Sequence, residues 1–186
     1  MTFHAPAAGE RPTAAQWGDW VFRRTIAACT SSTRPASPVD GQPIYETDTD
    51  CLRIWNGSTW TLVERMGEQS YTPTWTNVTT PTATNSGRWW ENAAGVFVQV
   101  TAVWTTAVTP SATPVTFSLP KTAAYTSFNV IGGGTWRDNG GTYASGGVIL
   151  PASTTAALFV QSSFAYIPNT GHSVKELYAA FQFTPS

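Results

Sequence analysis

Val96-Phe97-Val98-Gln99-Val100-Thr101-Ala102-Val103-Trp104-Thr105 decides the fold. Val96, Val98, Val100, Ala102 and Trp104 hold alternate positions, and Phe97, Gln99, Thr101, Val103 and Thr105 hold the others. Successive strand residues face opposite sides, so the stretch reads as a ribbon with one apolar face and one mixed face. Shorter strand-like runs follow. Val115-Thr116-Phe117-Ser118-Leu119 stops at Pro120, and others cover Phe128 to Ile131, Val148 to Leu150, Leu158 to Gln161, Phe164 to Ile167 and Leu177 to Phe183. Gly, Pro, Asn and Ser separate them. That spacing predicts a jelly-roll-like β-sandwich over residues 67–186.

Towards the N-terminus, Ile44-Tyr45-Glu46, Leu52-Arg53-Ile54-Trp55 and Trp60-Thr61-Leu62-Val63 predict a small β-meander within residues 31–66. An acidic turn joins the first two strands, and Asn56-Gly57 signals a tight turn before the third. A meander of this size is marginal alone and is expected to lean on other chains. Thr30 to Pro38 reads as a linker by composition, and Glu64 to Ser70 as a polar hinge. Residues 1–30 are expected to form a docking segment. Pro12 to Phe22 offers a short helix capped by Thr13, with Trp17, Trp20 and Val21 at helical spacing and Phe22 beside them. Such an element either plugs into a partner or a symmetry mate, or folds back on its own domain.

Composition agrees with an all-β chain. Charged residues are 11% of the 186 residues, against a usual value of about 25%, while aromatics reach 13% with nine Trp. Thr, Ser, Gly and Pro fill the gap, so strand formers and turn formers dominate over the Lys, Glu and Leu of solvent-facing helices. A surface this poor in charge leaves aromatic area for partners. The net charge of −1 offers no basic stripe, so no nucleic-acid partner is expected. No apolar run approaches the roughly 20 residues of a membrane helix, so no membrane partner is expected either. The start of the chain has no charged region followed by an apolar stretch, which predicts synthesis and release in a cytoplasm without a secretory signal. Cys29 and Cys51 are expected to stay reduced in that compartment.

No constellation for catalysis stands out. His4 lies near the terminus and His172 in Asn169-Thr170-Gly171-His172, neither beside a recognisable nucleophile. The acids of the C-terminal segment, Glu91, Asp138 and Glu176, read as solvated charges rather than as a carboxylate pair. Glu46, Asp48 and Asp50 fall at i, i+2 and i+4, but without the glycine and distal acid of a calcium loop they read as a solvated acidic turn. Gly132-Gly133-Gly134 follows a strand without the Lys or helix of a phosphate loop, and predicts a bulge or a close backbone approach instead. No metal and no cofactor is expected.

Aromatics give the best functional lead. Trp89, Trp90, Trp136 and Tyr143 are candidates for contact with a glycan or with another subunit, and adjacent Trp89 and Trp90 cannot share one core.

Arg34-Pro35-Ala36-Ser37-Pro38-Val39-Asp40-Gly41-Gln42-Pro43-Ile44-Tyr45-Glu46-Thr47-Asp48-Thr49-Asp50, with Leu52-Arg53-Ile54-Trp55-Asn56-Gly57-Ser58-Thr59-Trp60, resembles a small module of tailed-bacteriophage structural proteins. The segment from Tyr71 through Gly87-Arg88-Trp89 and Phe117-Ser118-Leu119-Pro120 to the end looks like the β-domain often attached to it. The resemblance implies a non-enzymatic virion component, homotrimeric, docked on other virion proteins by its N-terminus through Trp17, Trp20, Val21 and Phe22. It implies a sandwich facing outward, towards host or virion surfaces. A minor tail, tail-fibre or spike protein and a head-fibre or capsid decoration protein are the two structural alternatives. A carbohydrate-binding module or depolymerase fragment, with a host cell-surface glycan as partner, is the alternative of another class.

Overall fold

The computed structural model describes residues 11, 13, 25–108, 115–124, 129–138, 143–150, 156–161, 166–167 and 174–186. The described residues form β-strands and connections, with no helix among them. The expected helix over Pro12 to Phe22 lies outside them, apart from Thr13. The chain divides into two compact units that meet between Met66 and Gly67.

The first unit holds β1 (Ala27–Cys29), β2 (Pro43–Glu46), β3 (Cys51–Trp55) and β4 (Trp60–Arg65). Strands β2, β3 and β4 form the expected antiparallel meander. Strand β1 adds to it in parallel, pairing Ala27 with Ile44 and Cys29 with Glu46. That strand corrects the expectation that residues up to 30 belong to a separate docking segment: Ala27–Cys29 is an edge of this sheet. Asn56 shapes the β3–β4 connection. Its Oδ1 accepts from the backbone N–H of Ser58 (3.0 Å) and of Thr59 (2.9 Å), while Gly57 takes a φ of 95°. Trp55 and Trp60 close the loop with ring centroids 5.4 Å apart. Few apolar side chains are fully buried here, Ile44 and Cys51 being the pair at 0% exposure.

The second unit contains β5 (Gln69–Tyr71), β6 (Trp75–Thr76), β7 (Thr84–Asn92), β8 (Gly95–Val108), β9 (Thr116–Ser118), β10 (Asn129–Asp138), β11 (Tyr143–Leu150), β12 (Ala156–Gln161), β13 (Tyr166–Ile167) and β14 (Val174–Phe183). Its strands run in the order β7-β8-β14-β10-β11-β12-β9-β6, with β5 also on β7 and β13 also on β12. Hairpins join β7 to β8 and link β10, β11, β12 and β13 in turn. Strand β14 returns to sit between β8 and β10, and β9 lies between β12 and β6.

This sheet folds over to give two apolar layers, as the period-two pattern requires. Val96, Val98, Val100, Ala102 and Trp104 of β8 are all buried on one face, with Leu177, Ala179, Phe181 and Phe183 of β14 beside them. Phe117 of β9 packs on Phe181 at 5.7 Å although their strands are not neighbours. Trp75 of β6 packs on both Phe117 (5.4 Å) and Trp104 (5.8 Å). A side-chain clasp joins the two ends of the order: Trp75 Nε1 donates to Asn85 Oδ1 on β7 (2.8 Å), and Asn85 Nδ2 donates to the Pro73 carbonyl (3.0 Å). Each of these polar groups would otherwise cost about 1–3 kcal/mol if buried unpaired.

The glycine run is an in-strand feature. The β10–β11 register shifts between Val130 and Gly132, which is a bulge. A Cβ on Gly132 would stand 2.3 Å from the Ala180 carbonyl oxygen, so glycine alone lets β10 and β14 approach. Strand β10 is longer than expected, carrying the glycines on to Asp138 rather than ending at Ile131.

Candidate functional site

Two places gather polar chemistry, one in each unit. In the first, Glu46 ends β2 with its side chain at 0% exposure. Period two puts it on the same face as buried Ile44. Its carboxylate is held from several sides. Arg34 donates through Nε to Oε1, Arg53 Nε donates to Oε2 at 2.9 Å, and Thr49 Oγ1 donates to Oε2 at 2.8 Å. Burial pushes this carboxyl up, but the hydrogen bonds from Arg34, Thr49 and Arg53 outweigh it and hold the group below the usual carboxylate range.

The neighbouring acids serve the same frame. Asp48 accepts from the Ser31 backbone N–H (2.8 Å) and hydroxyl (2.6 Å), which holds its carboxyl low. Asp50 accepts from the Tyr45 hydroxyl at 2.7 Å and adopts a φ of 51° in the turn. These contacts correct two expectations. Glu46 is not part of a solvated turn, because it is buried, whereas Asp48 and Asp50 stay exposed as expected while each accepts from a specific donor. Nor is Thr30 to Pro38 a free linker, because Ser31 and Arg34 tie it to the β2–β3 turn. Among the described residues no group of three acid, His or Cys side chains is placed to hold a metal ion. Cys29 and Cys51 are both free thiols. They flank Glu46 in register, Cys29 on β1 and Cys51 on β3.

In the second unit the candidate surface is the outer face of β7, β8, β14, β10 and β11. Trp89 and Trp90 go to opposite sides, as expected. Trp89 packs against the core, and Lys121 Nζ sits 5.6 Å from its ring centroid. Trp90 lies on the outer face, stacked at 5.7 Å and 5° on Phe97 of β8. Trp136 is a correction: at 7% exposure it belongs to the core, in register with Leu177, and offers no surface to a glycan or a subunit. Tyr143 of β11 pairs in register with Arg137 of β10, while its side chain is outside the described set. Tyr178, which no sequence signal singled out, is exposed on this face at 43%.

The acids read from sequence as solvated are also spoken for. Glu91 is 5% exposed and accepts from Lys121 Nζ at 2.7 Å. Glu176 pairs with Arg137, whose hydrogen bond holds its carboxyl low. Neither is a bare surface charge, and they stand on different faces of the sheet. For Asp138 only the backbone pairing with Val174 is described. Trp17, Trp20, Val21, Phe22, His4 and His172 lie outside the described residues.

Comparison with family models, with curated proteins and with solved structures finds no match to this chain.

Proposed function

We propose that this chain is a non-catalytic structural component of a tailed-bacteriophage virion, a tail-tip, fibre or spike protein. In this reading it forms a homotrimer, is made in the host cytoplasm, docks on other virion proteins by its N-terminus and presents its second unit outward. One observation supports it above the rest. The distinctive residues of the 34–60 stretch, Arg34, Glu46, Asp48, Asp50 and Arg53, are consumed in holding four short strands together around a buried carboxylate. A motif used up in this way is a scaffold signature, as suits a module repeated in assembly proteins. The charge-poor, aromatic-rich composition favours burial against sister copies.

Two experiments test the reading. Native mass measurement of the purified chain should give a trimer, and a stable monomer would count against it. Labelled antibody on particles should mark the tail; label on the capsid would favour the head-fibre alternative. The docking role is tested by removing residues 1–24, which spares β1, whereas a cut at Thr30 would also strip an edge strand from the first unit. Truncated trimers that still fill particles to normal occupancy would end the docking proposal. Glycan hydrolysis by the purified protein, abolished by Glu91→Ala or Glu176→Ala in a folded variant, would move the protein to the depolymerase class.

A further inference from the structure

The sheet register lines up five hydroxyl side chains across five strands. Ser86 on β7 pairs with Thr101 on β8, Thr101 with Tyr178 on β14, Tyr178 with Thr135 on β10, and Thr135 with Ser145 on β11. Cross-strand partners share a face, so all five project from the outer side. Ser86, Tyr178, Thr135 and Ser145 are exposed and Thr101 is half-buried. No other described residue takes a hydrogen bond from these hydroxyls or gives one to them.

Two residues further along the strands the side chains shrink. Ala180, Gly133 and Gly147 form the next register row, which ends at Gln99 and Arg88 on β8 and β7. Arg88 Nη2 donates to Gln99 Oε1 at 2.8 Å and so walls off that end. The row beyond holds Gln182 beside the stacked Phe97 and Trp90. The three rows make a shallow trough running across the strands, floored by Ala180, Gly133 and Gly147. The hydroxyl row with Tyr178 lines one side and Gln182 the other, while the stacked Phe97 and Trp90 stand beside the Gln99–Arg88 pair at the β8 and β7 end.

We propose that this trough binds a neutral glycan chain laid across the strands. The inference rests on the outward-facing role proposed above for the second unit and names its ligand class. Three features select the occupant. Strands are spaced about 4.8 Å apart, so the hydroxyl row repeats on the scale of one sugar unit in an extended chain. The exposed ring of Tyr178 offers a flat apolar surface to a sugar face, while hydroxyls and amides around it fix orientation. The charges on the face are already answered within the chain, Arg88 by Glu68 at 3.4 Å and Arg137 by Glu176, so the surface complements an uncharged ligand. A second protein copy would want an apolar patch, and among the described residues the trough itself supplies one exposed aromatic ring.

The test uses the full-length protein with maltohexaose, cellohexaose and chitohexaose as probes, and heparin as the charged control. Binding is followed by calorimetry for the native chain, Tyr178→Ala and Gly133→Val. Gly133 is a sound place to raise the floor, because a Cβ there would meet its nearest neighbour at 3.4 Å, an ordinary contact. The expected result is saturable binding of at least one neutral probe, weakened about tenfold or more in both variants, with unchanged circular dichroism. Binding of no neutral probe, or binding that both variants leave unchanged, overturns the proposal. So does a variant that alters the sedimentation of the protein but not its glycan affinity, which would assign the face to a sister copy. None of these failures touches particle incorporation, which is read separately and tests the virion role.

Discussion

The ring of Tyr71 on β5 fills the space that a side chain at Gly87 on β7 would need. The two residues are register partners, and a Cβ on Gly87 would come within 2.2 Å of Tyr71 Cε1. Burial pushes the Tyr71 phenol well above its ordinary range, and its hydroxyl meets no hydrogen-bond partner among the described residues. The pair therefore behaves as an apolar contact. Gly87→Val is expected to cost about 1–3 kcal/mol, since the ring must leave its seat. Tyr71→Phe should be neutral or stabilising by up to about 1 kcal/mol, because it removes an unpaired buried polar group. Urea unfolding of both variants checks the contrast, and a large loss in Tyr71→Phe would contradict it.

Glu46 organises the first unit, so Glu46→Ala is expected to destabilise it by about 3 kcal/mol. The loss arises because Arg34 and Arg53 must both find water where the fold had supplied a carboxylate. Asp48→Ala removes a contact at the surface and should cost clearly less. Thermal unfolding of the two variants, followed by Trp fluorescence, ranks them, and equal losses would deny Glu46 its central place.

Acid should weaken the paired carboxylates of both units. The carboxyls of Glu46, Asp48 and Glu176 are all held below their ordinary range in the folded chain. The unfolded chain then binds protons more readily than the folded one. The stability they confer is fully present above the ordinary carboxyl values near pH 4 and is lost as pH falls through the folded values. Unfolding measured from pH 6 to pH 2 should show that decline, with a shallower slope in Glu46→Ala. A slope unchanged by the substitution would remove Glu46 from the account.

The two thiols should never join within one chain. Cys29 and Cys51 stand on either side of Glu46, two strand spacings apart, or about 9–10 Å. A disulfide needs Cα atoms within about 7 Å. Cys51 is fully buried, and the Cys29 thiol is pushed up by burial and by the nearby Glu46 charge, so both should react slowly with thiol reagents while folded. Mild oxidation followed by mass mapping should recover no Cys29–Cys51 peptide.

Period two made much of this fold readable. The alternation at Val96 to Thr105 announced β8 with the right buried face, and Trp89 and Trp90 parted as adjacent strand residues must. The misreadings share one physical root. Burial of Glu46 and Glu91 depends on which cations come within reach, and Arg34, Arg53 and Lys121 are brought there from 12, 7 and 30 residues away by the folding of the chain. Nothing local at Lys121 announces Glu91. Trp136 went inward because it falls in register with Leu177 across the β10–β14 pair, a relation that composition does not locate. The hydroxyl row was invisible for the same reason: Ser86, Thr101, Thr135, Ser145 and Tyr178 are unremarkable until five strands take their places.

The last of those places has a temporal meaning. Strand β14 lies in the middle of its sheet yet is the final strand to be made, so β8 and β10 emerge from the ribosome with no neighbour to bond between them. The second unit can complete itself only once Val174–Phe183 is available. Its assembly is thus a late event governed by non-local pairing, and a nascent chain stalled before Val174 would display two apolar ribbons ready to join those of other unfinished copies.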